Sequence, residues 1–202
     1  MTFLTRLEHE QRDASRFRCT GCGDCCRMHR VPVTAADVAR LKEATAELEA
    51  AFVQWLAPDE IDMTGEPESF VVLREGRKLP VLAFRDGGCR FLEGGRHCTV
   101  YAARPLCCRT FPIELESPDD GAMPRRLTVL QDAACPGEFD ARPDHDGLSA
   151  RLDARQRELE EHVALVAEWN RRQRRRGLAG KRPEGVEAFF RFVASRAQPS
   201  AS

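Results

Sequence analysis

Cys19-Thr20-Gly21-Cys22-Gly23-Asp24-Cys25-Cys26 places four thiols within eight residues, and the remainder of the chain is read outward from it. Thiols at this density have few uses other than gripping a metal centre together. The first three follow a C-x-x-C-x-x-C spacing, which lets a tightly curved loop aim successive sulfurs at one point, as iron–sulfur loops and many zinc knuckles do. Gly21 and Gly23 stand between the candidate ligands. Glycine reaches positive φ without strain and lets backbone N–H groups approach a metal or sulfur closely, so the expected conformation is a ligand loop.

Composition bounds what such a loop can serve. With 202 residues and 42% apolar content the chain can bury a real core, most simply as one domain with an appendage. Charged residues make up 31%, yet the net charge is −1, so no whole-protein field points to nucleic acid or to an anionic membrane. No apolar run approaches the ~20 residues of a membrane span, and Met1-Thr2-Phe3-Leu4-Thr5-Arg6 lacks the apolar region of a secretory signal. These features read as a cytoplasmic chain without membrane contact, with nucleic acid not an expected partner and any protein partner unspecified. Nine cysteines in a reducing compartment argue for metal ligation, whereas a secreted chain would first suggest disulfides. The odd number leaves one thiol over.

The segment from Thr2 to Phe17 is a polar lead-in with one or two helical turns. After the cysteine loop, Thr34 with Asp37 three residues on predicts a capped helix start. Val38, Leu41, Leu48, Phe52 and Leu56 recur at helical spacing up to Pro58 and predict a core-facing stripe. Phe70 to Leu73 and Leu79 to Phe84 flank Glu75-Gly76-Arg77-Lys78 and read as a hairpin, in which Pro80 would mark an edge strand. Ile113 to Leu115 and Arg126 to Leu130 are further strands. The fold class is therefore α+β: a small, mostly antiparallel sheet with helices and metal-stapled cysteine loops.

A second cysteine group lies among these strands: Cys89, Cys98, Cys107 and Cys108, with Cys135 after the last. Gly87-Gly88 and Gly94-Gly95 punctuate it in the manner of ligand-bearing turns. Arg104-Pro105-Leu106-Cys107-Cys108-Arg109 predicts a short helical turn with proline at its first position, stopped before Pro112. Cys135-Pro136 is a ferredoxin-like ending, a weak signal taken singly.

In ordered combination, Cys19-x-x-Cys22-Gly23-x-Cys25-Cys26, Cys89-x-Phe91-Leu92, Cys98-x-x-Tyr101, Arg104-Pro105-x-x-Cys108-Arg109-x-Phe111-Pro112 and Cys135 resemble the YkgJ-type cysteine-cluster family, described as zinc- or iron-chelating. The resemblance covers roughly residues 17 to 137. It implies that the metal ligands are Cys19, Cys22, Cys25, Cys26, Cys89, Cys98, Cys108 and Cys135, and it leaves Cys107 as the spare thiol. Related domains occur in flagellin lysine N-methylases, so the resemblance also allows an iron-dependent protein-modifying enzyme or accessory. The sequence itself offers no P-loop, G-x-G-x-x-G, G-x-S-x-G or H-E-x-x-H to support an independent catalytic site.

Eight thiolates can complete two closed centres, or one centre plus buried structural thiols, as an iron–sulfur cluster, the favoured cofactor, or as zinc. A zinc site would make the protein a structural or interaction module. Arg18, Arg27, Arg90, Arg96 and Arg109 stand near ligands and would favour thiolate over thiol, although arginine is abundant throughout. His29 and His97 adjoin the clusters, but eight cysteines already suffice and surface positions are expected. Asp24 reads as a turn former, and Tyr101 and Arg104 either line the site or pack on the Pro105 turn.

Beyond Gly147 the pattern changes to Leu148, Leu152, Leu159, Val163 and Val166, an amphipathic helix continuing through Trp169. It ends in Arg171-Arg172-Gln173-Arg174-Arg175-Arg176, cations favoured at a helix C-terminus, with Gly177 the natural stop. A last short helix is expected from Gly185 to Ala197. The expected organisation is a cysteine-cluster metal-binding domain over residues 1–147 and a C-terminal helical extension over 148–202.

Overall fold

The computed structural model describes residues 13–61, 67–116, 126–130 and 135–197. In chain order the elements are α1 (Asp24–Met28), α2 (Ala35–Thr45), α3 (Glu49–Phe52), β1 (Val53–Leu56), β2 (Val71–Leu73), β3 (Gly76–Leu82), β4 (Phe84–Arg85), β5 (Gly88–Cys89), β6 (Leu92–Glu93), β7 (His97–Cys98), α4 (Leu106–Thr110), β8 (Ile113–Glu116), β9 (Arg126–Val129), α5 (His145–Leu178) and α6 (Val186–Ala197). The α+β class holds. Its antiparallel strands divide into one three-stranded sheet and three two-stranded ribbons. Of the lead-in, residues 2–12 lie outside the described residues, and Ala14–Arg16 forms a single 3-10 turn capped by Asp13. Close contacts group the chain into two units, one of Met1–Val31 with Phe84–Arg157 and one of Pro32–Ala83 with Glu158–Ser202.

The second unit holds the sheet. Thr34 and Asp37 cap α2 reciprocally, each side chain accepting the other residue's backbone N–H. The apolar stripe from Val38 to Leu56 does not lie on one helix, and the expectation is corrected at Ala46. That residue adopts left-handed φ 55 and closes α2 with its N–H on the Lys42 carbonyl. The Thr45 hydroxyl bonds back to Leu41 O at 2.8 Å and accepts the Glu47 N–H at 3.2 Å, which turns the chain outward. Leu48 is consequently 74% exposed. The stripe's end is a strand, because the β-branched and aromatic residues of Val53-Gln54-Trp55-Leu56 pair with Leu82 to Leu79 of β3.

Strand order is β1-β3-β2, so β3 is central and the expectation of an edge at Pro80 is also corrected. β2 pairs with β3 only from Gly76 to Lys78. The Pro80 carbonyl accepts the Val33 N–H at 3.0 Å, away from β1. A strand residue's N–H and C=O leave on the same side, so the donor proline lacks would have faced the side where β2 has already ended. The hairpin itself forms, with a tighter connection than expected: Leu73 pairs with Gly76 across Arg74-Glu75.

The outer edge of β2 is closed by side chains of α5. Asn170 accepts the Val72 N–H at 2.7 Å and donates to Phe70 O at 2.9 Å, while Trp169 Nε1 donates to Val72 O at 2.8 Å. These bonds occupy polar groups that would otherwise offer a template for another strand. Trp169, fully buried, packs edge-on with Phe189 of α6 beside Val71, Leu73 and Val166. The end of α5 is corrected too. Gly177 is helical, and Gly180 at φ 69 provides the stop, with Lys181 N–H on Arg176 O and Gly180 N–H on Gly177 O. Within the basic run, Arg172 and Arg176 face Glu184 at 3.2 and 3.8 Å, and buried Gln173 exchanges hydrogen bonds with the same residue. Arg172, Gln173 and Arg176 are thus tied into the helix terminus.

His162, also on α5, is buried, and its Nδ1 accepts the Ala35 N–H at 3.2 Å. Burial lowers its pKa from 6.5 to about 4. The folded value lies below the unfolded one, so the unfolded chain binds the extra proton as pH falls from 6.5 toward 4, and stability present above pH 6.5 is lost across that window by up to roughly 3 kcal/mol. Carboxylates with lowered values, such as Glu49 and Glu184, act below their ordinary 4.5. Urea midpoints measured from pH 7 to 4.5 should fall for the native chain and fall markedly less for His162→Asn, which keeps an acceptor for Ala35 but does not titrate. Parallel curves for the two proteins would show that protonating His162 costs nothing.

The first unit carries every cysteine. Both further strands form, and they pair with each other as a separate ribbon from Ile113↔Val129 to Glu116↔Arg126. Ile113 is buried with Ala14, Leu148 and Leu152, so the beginning of α5 contributes apolar side chains to this unit's core.

Candidate metal centre

The first thiol stretch is a loop only as far as Gly23. Gly21 and Gly23 take the positive φ values 69 and 80 expected of them, but Asp24 opens α1 and puts Cys25 and Cys26 on a helical turn, their sulfurs 4.0 Å apart. Asp24 therefore serves a helix start, where its carboxylate meets Arg27 Nη1 at 3.0 Å. Arg27 ties the stretch to the β6–β7 turn. It donates to the Gly95 carbonyl and, at 3.4 Å, to the Cys22 carbonyl.

The second group closes in from several directions. β4 and β5 form a hairpin through Asp86-Gly87, and Gly88 passes so close to α1 that a Cβ there would lie 3.7 Å from Cys26 O. Cys89 is buried on β5, and Cys98 on β7 pairs with Leu92. α4 carries Cys107 and Cys108. Pro105 sits one position earlier than expected, at the cap, where its carbonyl accepts the Arg109 N–H. Arg18 and Glu138 exchange both backbone hydrogen bonds, 2.7 and 3.1 Å, and pair through their side chains as well. That bridge brings Cys19 and Cys135, separated by most of the family-like region, to the same place.

Cys25 is the common neighbour. Cys22, Cys26, Cys89, Cys98, Cys108 and Cys135 each lie within electrostatic reach of it. Cys19 reaches Cys98 and Cys135. Burial pushes the thiols of Cys22, Cys89, Cys98 and Cys135 above their ordinary range. A hydrogen bond with the adjacent thiol and then burial raise Cys25 and Cys108 further, while the bond from Cys25 lowers Cys26. Among the described residues, no three of His, Cys, Asp and Glu are gathered closely enough to enclose one ion. All the same, the donors are uniformly soft and drawn from six segments to one region, a donor set that suits zinc or iron–sulfur chemistry and not a hard oxygen-seeking cation.

The cations that act on the thiols are in part those expected. Arg104 favours the thiolate at Cys25, Cys26 and Cys98, and Arg90 does so at Cys89. Arg104 is held by its own neighbour, its guanidinium 3.6 Å above the Tyr101 ring and its Nε on the Tyr101 carbonyl. Arg18 is engaged by Glu138 and Asp140, and Arg109 donates to the carbonyls of Ala102 and Arg104. His29 stacks on Phe111 with centroids 5.0 Å apart, and His97 is exposed on β7. Arg104, which the sequence places either along the site or on the Pro105 turn, is the cation that acts on three of the thiols.

A cysteine-rich metal-chelating domain is the class that this gathering of thiols defines. The chain belongs to the CxxCxxCC family, whose model, described as "putative zinc- or iron-chelating domain", matches residues 18–135. No curated protein and no solved structure matches the chain. Among the described residues, no helix is long and apolar enough to cross a membrane.

Proposed function

We propose that the protein holds iron as a thiolate-bound iron–sulfur cluster, with Cys19, Cys22, Cys25, Cys26, Cys89, Cys98, Cys108 and Cys135 as the ligand set. The observation that carries this reading is the number of thiols around Cys25, since one tetrahedral ion accepts four thiolates and Cys25 has more thiol neighbours than that requires. A polynuclear centre, or two centres, accommodates the surplus. A bound cluster would supply one-electron transfer or transferable iron and sulfide. The chain's own part is to hold Cys25 and Cys26 on one turn and to offset thiolate charge with Arg104 and Arg90. Free thiols in this number fit a reducing compartment, which makes the cytoplasm the setting of this reading.

Anaerobic purification should yield brown protein with visible charge-transfer absorption and stoichiometric iron and acid-labile sulfide. Colourless protein carrying zinc would instead assign the structural or interaction role. Folded protein that takes up neither metal would defeat both readings.

A further inference from the structure

An open cleft of about 400 Å³ adjoins the thiol region, lined by Arg27, Arg85, Asp86, Cys89, Arg90 and the glycine turns beside them. Its size falls within the ~300–1,000 Å³ of small-molecule sites, and its wall contains three guanidinium groups against one carboxylate. Two of the cations have tasks already described: Arg27 clamps Asp24 and the Gly95 carbonyl, and Arg90 weighs on Cys89 and lies 4.9 Å from the Phe91 ring. Arg85 has none. It ends β4, next to a turn in which Asp86 and Gly87 both take positive φ, and it makes no ion pair or side-chain hydrogen bond among the described residues. A cation with no ion pair or side-chain hydrogen bond among the described residues, placed in the wall of a cleft that Cys89 also lines, is an arrangement for receiving an anion close to that cysteine.

We propose that this cleft receives small polycarboxylate chelators, and that it is the route by which metal is exchanged between such chelates and the cysteine centre through Cys89. The carboxylates engage Arg85, with Arg90 and Arg27 at the cleft wall; the Cys89 sulfur then bonds to the chelated ion as one carboxylate–metal bond breaks, the thiol proton passes to the released carboxylate, and the reverse step returns the ion to the chelator with no change of oxidation state. The exchange step rests on the reading of Cys89 as a ligand; the anion site does not.

The test uses the full chain with the metal that it holds as purified. Calorimetric titration with citrate should show binding that weakens roughly tenfold in Arg85→Ala, is largely restored in Arg85→Lys, and is unaffected in Arg191→Ala on α6. Metal release is then timed with two chelators, citrate and neutral phenanthroline. Arg85→Ala should slow release to citrate severalfold and leave release to phenanthroline unchanged. Equal slowing with both chelators would mean that the substitution merely disturbs the site, and absent or Arg85-independent citrate binding would mean that the cleft is not an anion site; either result overturns the proposal. Citrate binding that depends on Arg85 in a protein whose Cys89→Ser variant keeps its metal and release rates would instead retire Cys89 as the point of exchange and leave the anion site standing. Inorganic phosphate, run in parallel, should bind more weakly than citrate; tighter phosphate binding overturns the polycarboxylate assignment.

Discussion

Cys108→Ser is expected to strip most of the metal from the purified protein, while Cys107→Ser leaves metal content nearly intact. The two residues are adjacent on α4 and therefore point about 100° apart around the helix, so only one can face a given centre squarely. Cys108 lies within electrostatic reach of Cys25 and Cys89, thiols from two other segments, and the bond with Cys107 and burial push its pKa up. Serine offers a hard, weakly coordinating hydroxyl in place of a thiolate. Because metal affinity and folding are coupled in such sites, Cys108→Ser should also lower the unfolding temperature sharply, and added chelator should lower it little further. Metal analysis and thermal unfolding of both variants decide the matter. The reverse ranking would shift the ligand register of α4 by one residue and make Cys107 the metal-bound thiol.

How much of this was legible in the sequence depended on the range of the signal. The Thr34–Asp37 cap, the β2–β3 hairpin, the strand stretches of β8 and β9 and the final helix α6 were all readable because each is decided by neighbouring residues. The failures came where a local signal competed with a distant partner. Val38 to Leu56 keeps a helical period, yet pairing with β3 draws its last residues into a strand. Pro80 looked like an edge residue because nothing in its neighbourhood reveals that β2 stops at Val71, short of it. Gly177 looked like a stop, but the Schellman geometry formed three residues later at Gly180. At the site, the cysteine positions were legible from their spacing and order. That Arg18 pairs with Glu138 is a long-range fact that no spacing rule encodes.

Gly23→Ala is the substitution expected to do most damage without touching a thiol. At φ 80 the residue occupies left-handed space, which costs a non-glycine residue about 1–2 kcal/mol. A Cβ there would also sit 2.5 Å from the Gly95 carbonyl oxygen, a backbone atom that cannot swing aside and that Arg27 holds in place. Relief requires α1 to move away from the β6–β7 turn, which carries Cys25 and Cys26 away from Cys98. Gly94→Ala is the matched control. Its φ of 55 is also left-handed, but a Cβ would meet nothing within 4 Å, so it should cost only the conformational part, about 1–2 kcal/mol, and keep its metal. Gly23→Ala should lose a clearly larger share of both stability and metal, measured by denaturant unfolding and elemental analysis. Equal losses in the two variants would mean that the close approach of Gly23 to Gly95 does not position the cysteines, and that the thiol gathering depends on α4 and the Arg18–Glu138 bridge instead.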